Sequence, residues 1–384
     1  MTCPKHMVYG PCGGVTAAGG CEVDAALACP FVDAPTVRWS GSAQLAARVE
    51  VDPPSASAAA HEPGSATTPQ PGRTPAARPG RTAPERPDGG APAARPAEAG
   101  TGPRAGVVPD QMWPVGRPLV LADLPTAPLS RAALLRSADL LADGVDAVLL
   151  GDHPGARVQF PPSYRALLLR DRGVAVWVGL NCRDRNRVAL EGELAALVDA
   201  GAAAVHCVTG DHTAVGHRPD AAPVFDLDAT RLAALARAAG LLVSVAESPC
   251  APPAARRPAR LAEKVRAGAQ VCVVNHAGGR AAVAEFVAAG PDIPYIACVP
   301  VVLGPAQARL LAAFPGLVLP PGFLDRILEA RDPVVAGIDA AVRLAEELLD
   351  VPGVRGVDLG AVPVKGDEDA TCRALATVGR ALRP

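Results

Sequence analysis

Eight short apolar runs, most of them followed by a stretch with helical periodicity, constrain the fold of the C-terminal part of this chain more than any other feature. Val and Leu dominate the runs, and several of the helical stretches end in Gly, as helix C-termini often do. The runs are Leu119–Leu124, Asp146–Leu150, Val174–Leu180, Ala203–Thr209, Leu241–Ala246, Gln270–Val274, Tyr295–Val299 and Val354–Leu359. Strands that are apolar on both faces indicate a parallel sheet covered by helices on both sides.

Eight such strands alternating with helices predict an α/β fold, a parallel (β/α)8 TIM barrel over residues 113–384. A doubly wound sheet is the alternative. No GxGxxG motif follows the first strand, so nothing indicates a dinucleotide-binding Rossmann fingerprint.

Residues 34–112 have a composition that does not favour a packed core. Pro, Ala, Gly and Arg dominate, and no aromatic residue occurs between Trp39 and Trp113. We therefore expect a disordered linker, with its arginines as a solvated spacer. Nucleic-acid binding is the alternative for these arginines, but no aromatics are interleaved for base stacking and the net charge is −2. We expect no nucleic-acid partner.

The first 33 residues, here called the head, contain Cys3, Cys12, Cys21 and Cys29. A segment this short has too little apolar content to fold alone, and four thiolates around one Zn²⁺ or one iron–sulfur cluster would supply folding energy. His6 is an alternative ligand, and four unliganded thiols are the alternative to a metal site. The other six cysteines are expected to act as small hydrophobic side chains.

The sequence contains no apolar run of about 18 residues and no signal-peptide pattern. We therefore expect a cytoplasmic protein with no membrane contact. Ten cysteines then call for a reducing-compartment explanation, such as metal binding, rather than disulfides.

Polar residues follow several of the predicted strands, and active sites of TIM barrels lie at these C-terminal ends. One example is the stretch CVTGDH at residues 207–212. The open end of the barrel at the C-terminal ends of the strands is here called the mouth. The residues expected to lie there together are Asp152, His153, Asn181, Asp211, His212, Glu247, Asn275, His276 and Asp358. For Asp152 and Asp184, a role as a helix N-cap or loop residue is an equal alternative.

Several segments resemble the methylenetetrahydrofolate reductase family. LNCRDRNRVALEGELAALVDAGAAAVHCVTGD is similar to the family's third and fourth strands, and RLAEKVRAGAQVCVVN to the approach to its sixth. IPYIACVPVVLGPAQARLLAAFPGLVLPPGFLDRI and GVRGVDL resemble strands seven and eight, so the resemblance covers most of Leu119 to Arg380 in order. The head pattern CPK…GPCGG…C…C resembles the cysteine motif of a reductase-associated domain and of the small subunits of two-subunit reductases.

The resemblance implies an oxidoreductase with FAD across the strand ends. NAD(P)H or another donor reduces the flavin, and hydride then passes to 5,10-methylenetetrahydrofolate to give 5-methyltetrahydrofolate. Asp211 matches the family's carboxylate beside flavin and pterin, and Thr209 and Gly210 match the adjacent cofactor loop. Lys264 matches the lysine that neutralises the FAD diphosphate. Asn181 lies beside a flavin contact, and Asn275 matches the folate-binding glutamine.

The chain departs from this family at its catalytic acid. The family's first strand carries a glutamate that opens the methylene bridge, and the matching position here is Ala122, with Asp123 one residue further on. Because a one-residue step reverses the face of a strand, the direction of Asp123 is an open question. Glu247 is a second candidate acid because it also ends a strand. Leu149, at the position of the strand-two flavin contact, has no hydrogen-bond donor.

Two other functions stay open on these residues. His153, His212 and His276, with Asp152 or Asp211, would suit a divalent-metal hydrolase. The other alternative is a barrel that binds folate or flavin without reductase activity, with the head docking a redox partner protein. Homo-oligomerisation is a further open expectation.

Overall fold

The computed structural model of the protein describes residues 3–24, 26–41, 113–125, 129–151, 158–215, 219–275, 277–312, 317–362, 364 and 366–383. All of these belong to one compact unit that includes both the head and the C-terminal region. Asp152, His153 and His276 lie outside the described residues, as does the predicted linker from residue 42 onward.

Eight parallel strands form a closed barrel in sequence order, with β8 pairing to β1, which confirms the predicted TIM barrel. Each observed strand overlaps the apolar run that predicted it. The strands are β1 (Leu119–Asp123), β2 (Ala147–Leu150), β3 (Ala175–Asn181), β4 (Ala204–Val208), β5 (Val243–Glu247), β6 (Val271–Val274), β7 (Tyr295–Pro300) and β8 (Val354–Gly360).

Helices connect the strands and cover the outside of the barrel. They are α1 (Arg131–Leu141), α2 (Pro162–Leu169), α3 (Arg187–Asp199), α4 (Ala229–Ala238), α5 (Arg257–Ala267), α6 (Arg280–Ala289), α7 (Pro305–Ala312), α8 (Phe323–Leu328), α9 (Pro333–Leu349) and α10 (Glu368–Ala381). Side chains of Ser130, Asn186, Asp228 and Asp332 accept hydrogen bonds from backbone amides at the starts of α1, α3, α4 and α9. Of the helices described, none has the length and apolar content to cross a membrane.

The alternation of side chains along each strand separates two cores. Leu119 and Leu121 of β1 belong to the cluster that fills the barrel lumen, together with Trp177 of β3. Val120 and Ala122 belong instead to the larger cluster between strands and helices. Because successive side chains alternate, the residue after Ala122 faces the lumen.

Helix α10 packs very closely against the turn that follows α1. A Cβ on Gly379 would lie 2.0 Å from the carbonyl oxygen of Gly144, and a Cβ on Gly144 would lie 2.4 Å from Cα of Ala376. Only glycine fits at these two positions, which lets the last helix close the barrel against β1 and α1.

Candidate functional site

Five polar side chains form a row along the inner wall of the barrel mouth. From β5 to β1 they are Ser248, Asn275, Cys298, Asp358 and Asp123, here called the polar row. The Asn275 amide donates to Ser248 Oγ at 3.1 Å. The Cys298 thiol lies 3.9 Å from Asn275 Oδ1 and 3.8 Å from Asp358 Oδ2. The row therefore brings together residues from strands that are far apart in the sequence.

Asp123 faces the lumen, which settles the question left open by its one-residue offset. A Cβ on Gly360 would lie 3.3 Å from Asp123 Oδ2, and one on Gly151 would lie 3.9 Å from Oδ1. These neighbouring strands therefore leave space beside the carboxyl group. Ala122, the residue that matches the family's glutamate, is fully buried on the opposite face.

Asp358 lies beside Asp123 on the adjoining strand, where β8 pairs with β1 through Leu121 and Asp358. Its side chain is 4% exposed. Within the described residues, its Oδ1 atom is buried and has no hydrogen-bond partner. A buried oxygen in this situation is costly unless it is protonated or bonded to a ligand.

Burial and mutual repulsion change the protonation of this carboxyl pair. Burial raises the pKa of Asp123 to about 6. Burial and the negative charge of Asp123 raise the pKa of Asp358 well above its usual range. The pKa of the Cys298 thiol is also raised, by burial and then by Asp358. Asp123 and Asp358 therefore retain a proton close to neutral pH.

The loop after β4 is firmly anchored beside the end of β3. Thr209 Oγ1 accepts a hydrogen bond from the Ala229 amide at 3.2 Å. Gly210 has φ +87°, and a Cβ there would lie 3.1 Å from Cβ of Asn181. The anchored loop leaves the Asp211 side chain exposed, where it can meet a ligand.

Glu247 faces away from the lumen, toward α5, so it does not share the mouth with the polar row. Its carboxylate pairs with Arg257 at 3.2 Å, Arg260 at 2.7 Å and Lys264 at 2.9 Å. Burial opposes ionisation, but the charges of Arg260, Lys264 and Arg257 hold the pKa of Glu247 well below its usual range. A carboxylate held ionised in this way is a poor proton donor, so the geometry does not favour Glu247 as the acid.

Lys264 belongs to the same buried cluster. Its ammonium group donates to Glu247 and to the carbonyl oxygen of Ala246, and the residue is 3% exposed. Burial and the neighbouring Arg260 lower its pKa to about 8 despite the attraction of Glu247. In this position Lys264 does not fit the predicted role of neutralising a flavin diphosphate.

The head packs on the barrel where β4 and β5 end. Arg257 donates to the carbonyl oxygens of Cys12 at 3.0 Å and Pro11 at 3.4 Å. Glu22 of the head accepts from the His212 amide at 3.1 Å and pairs with Lys5. The head therefore lies beside Asp211, whose charge contributes to raising the pKa of Lys5 against the effect of burial.

The four head cysteines do not form a closed metal site in this structure. Cys29 interacts electrostatically with Cys3 and Cys21, whereas Cys12 lies beside Lys5, Glu22 and Arg260. Across the part of the chain that is described, no three His, Cys, Asp or Glu side chains are arranged to hold a metal ion. As placed, the four thiols do not fit one tetrahedral ion, and Zn²⁺ or iron–sulfur binding stays a prediction.

Two histidines that the structure describes have local partners. The His212 ring stacks on Phe225 with centroids 5.8 Å apart, and its Nδ1 accepts from the Ala214 amide. His206 Nδ1 is hydrogen-bonded to Ser244 Oγ at 2.8 Å inside the lumen. Burial lowers the pKa of His206 to about 4, so this imidazole is neutral near pH 7. These contacts give no support to a histidine-bound metal.

Sequence interpretation missed Cys298, Ser248 and His206 as lumen residues. The sequence pattern groups Cys298 with the apolar cysteines, yet it lies two residues after the lumen-facing Ile296. Counting every second residue from a known lumen position would have found it. The same count in steps of two, starting from Leu242 of the lumen cluster, reaches Ser248.

Two comparisons with known sequences differ in outcome. Residues 1–52 match the family described as "Methylene-tetrahydrofolate reductase C terminal". This match covers the head and the residues that follow it, in agreement with the resemblance of the cysteine motif. No protein with a curated description matches this sequence.

Several solved structures are similar to this chain at low sequence identity. One is an uncharacterised protein from Clostridium thermocellum, described as binding two copies of 5-methyl-5,6,7,8-tetrahydrofolic acid. It is 13% identical, with a TM-score of 0.51, and the match covers 68% of this chain and 94% of that protein. A putative lyase/mutase from Burkholderia cenocepacia is 15% identical, with a TM-score of 0.41 and coverage of 69% and 81%. Ligand-free tryptophan synthase from M. tuberculosis is 16% identical, with a TM-score of 0.42 and coverage of 70% and 94%. At 13% identity, the similarity to the Clostridium thermocellum protein supports the fold alone.

Proposed function

We propose that this barrel binds a reduced folate in its mouth and reduces 5,10-methylenetetrahydrofolate to 5-methyltetrahydrofolate, with Asp123 as the proton donor. The observation that carries the proposal is the lumen-facing Asp123, whose raised pKa suits a general acid. It lies on the strand where the reductase family carries its acid. The reductase-associated head in the same chain is consistent with folate chemistry.

The proposed reaction needs one proton and one hydride. Asp123 gives its proton to N10 of the folate, and the bond between N10 and the bridging carbon breaks. The bridging carbon then remains on N5 as a cationic methylene group. Hydride adds to this carbon to give the methyl group, and the hydride donor is oxidised.

The polar groups of the mouth suit the pterin ring. Asp211 is exposed beside the loop after β4, and a carboxylate there can accept two hydrogen bonds from the pterin's amino-pyrimidine edge. Asn275 offers an amide at the end of β6, two strands further around the mouth, although it is shorter than the family's glutamine. The water-poor wall around Asp123 and Asp358 would strengthen these polar interactions.

The source of the hydride is a separate part of the proposal. FAD, reduced by NAD(P)H, supplies hydride in the family that this chain resembles. Asn181 and Gly210 lie at the ends of β3 and β4. The Thr209 hydroxyl is engaged with the Ala229 amide, and Lys264 is not placed to hold a flavin diphosphate. We therefore assign no step of this protein to the flavin. A visible spectrum of the purified protein, and assays with NADH, NADPH and reduced FAD, would identify the donor.

The test combines folate binding with turnover. Calorimetry with 5-methyltetrahydrofolate should show binding to the wild-type protein and to Asp123→Asn. Turnover of 5,10-methylenetetrahydrofolate should fall about 100-fold or more in that variant, the usual size of a general-acid effect. Asp171→Asn is the matched control, because that side chain is 89% exposed on the surface.

Three results would separate the alternatives. An unchanged rate in Asp123→Asn would contradict its role as the acid. Binding of 5-methyltetrahydrofolate without turnover by any donor would favour a folate-binding barrel that is not a reductase. Absence of folate binding would contradict the proposal as a whole.

A further inference from the structure

We infer that Asp358 is a positioning residue that shares one proton with Asp123 and so keeps Asp123 able to donate it. This inference rests on the proposed function, in which Asp123 is the acid. It adds a second carboxyl group, on the adjoining strand β8, to the group that donates the proton.

The geometry of β1 and β8 brings the two groups together. Asp358 pairs with Leu121 in the register of the two strands, so Asp123 lies two residues nearer the mouth on the adjoining strand. Both side chains face the lumen, and Asp358 is 4% exposed. Asp358 therefore lies beneath Asp123, shielded from water, while Asp123 is partly exposed toward the mouth.

Within the described residues, no cation acts on the carboxyl group of Asp123 or Asp358. Asp358 has the Cys298 thiol on β7 as its hydrogen-bonding neighbour, at 3.8 Å. The β2 neighbour of Asp123 is Gly151, which has no side chain. On α2, Arg165 donates to the main-chain carbonyl oxygen of Gly151 at 3.1 Å. On α5, Arg257, Arg260 and Lys264 face outward and are engaged with Glu247. Two ionised carboxylates in this setting would repel each other with little screening.

A shared proton removes both problems of this arrangement. It reduces the charge of the pair, and it gives the unpartnered Asp358 Oδ1 or its neighbour a hydroxyl with which to bond. The proton stays on the pair at a pH where an exposed aspartate has lost it. After transfer to N10 of the folate, the pair takes up a new proton from solvent.

Infrared spectroscopy of the protein without substrate tests the shared proton directly. Wild-type protein should show the carbonyl band of a protonated carboxyl group near neutral pH. In Asp358→Asn the midpoint of this band should move down by about one pH unit or more, because Asp123 loses its negative neighbour. In Asp123→Asn the midpoint of the band that remains, from Asp358, should also move down, because Asp358 loses its negative neighbour. Asp171→Asn should leave the band unchanged.

The pH profile of turnover provides a readout that a merely structural role would not move. The loss of kcat/KM with rising pH should shift to lower pH in Asp358→Asn by the same amount as the infrared midpoint. Asp358→Glu should restore part of the wild-type profile. A rate reduced equally at every pH, or an unshifted infrared midpoint, would overturn the inference.

The two experiments distinguish failure of the inference from failure of the proposed function. If the wild-type protein reduces methylenetetrahydrofolate but Asp358→Asn shifts neither readout, the shared proton is wrong and the reductase function stands. If the infrared midpoint shifts but no folate is reduced, the carboxyl pair is confirmed and the reductase function is wrong.

Discussion

Arg257 donates a hydrogen bond to the carbonyl oxygen of Cys12 at 3.0 Å, so the first residue of α5 holds the backbone of the head. The same guanidinium contacts Glu247 at 3.2 Å and is completely buried. One arginine therefore connects the barrel wall to a segment that lies some 245 residues earlier in the chain. At this contact Arg257 binds main-chain carbonyl groups of the head, which do not depend on the side chains at those positions.

Replacing Arg257 with Met should release the head and destabilise the protein. The change leaves Glu247 with fewer counter-charges and leaves the Pro11 and Cys12 carbonyls without this donor. We expect a loss of about 3–5 kcal/mol in the free energy of unfolding, the usual cost of breaking a buried ion pair. Denaturant unfolding gives this value, and limited proteolysis should cut the head faster.

The control for Arg257→Met is Arg373→Ala. Arg373 is 60% exposed and lies 3.8 Å from Asp369 on the surface of α10. Its loss should change stability by less than about 1 kcal/mol. Equal proteolysis rates for the head in both variants would contradict the role of Arg257 as an anchor.

Lys264→Met should reduce stability without reducing folate affinity. Its ammonium group contacts Glu247 and Ala246 on the outer side of β5, away from the lumen. Because Arg257 and Arg260 remain beside Glu247, we expect a loss of about 1–3 kcal/mol rather than unfolding. Calorimetry with 5-methyltetrahydrofolate should give an unchanged affinity. A large loss of affinity at unchanged stability would place Lys264 in the ligand site instead.

Gly379→Ala should be among the more damaging single-methyl changes in this barrel. Its Cβ would lie 2.0 Å from the Gly144 carbonyl oxygen, so α10 would have to move away from the barrel. We expect a loss of about 2–4 kcal/mol by overpacking. Gly192→Ala is the matched control, because its Cβ meets nothing within 4 Å inside α3. Thermal unfolding should show the control unchanged or stabilised, since Ala favours a helix more than Gly does.

The strands of the barrel were predictable because their local signal is strong. Runs such as VWVGL in β3 are apolar on both faces, and only a covered parallel strand uses that pattern repeatedly. The position of Asp123 was less predictable, because motif matching indicated Ala122 and a one-residue step changes the face. The known lumen residues Leu119 and Leu121 decide the face once the strand register is available.

Glu247 and the head show what a sequence pattern leaves undetermined. A strand-end carboxylate is equally compatible with the lumen and with the helix layer, and Arg257, Arg260 and Lys264 on α5 decide between them. The contact of the head with Arg257 uses the backbone carbonyls of Pro11 and Cys12, which any residue would offer. Side-chain patterning therefore carried no signal of this contact.

Asp358→Asn should make the protein more stable at neutral pH, even though it impairs the proposed proton donor. In the folded protein burial raises the pKa of Asp123 to about 6, above its value in the unfolded chain. Burial and the charge of Asp123 also raise the pKa of Asp358 well above its usual range. Between about pH 4 and neutrality the folded state therefore binds more protons than the unfolded state, so stability falls as the pH rises. Removing one carboxyl group removes part of this loss, and we expect a gain of about 1–2 kcal/mol in the free energy of unfolding at pH 7.

The gain should disappear near pH 4, where both carboxyl groups are protonated in the folded protein. Denaturant unfolding across this pH range measures it, and a variant that is less stable than wild type at every pH would show that Asp358 has a packing role instead.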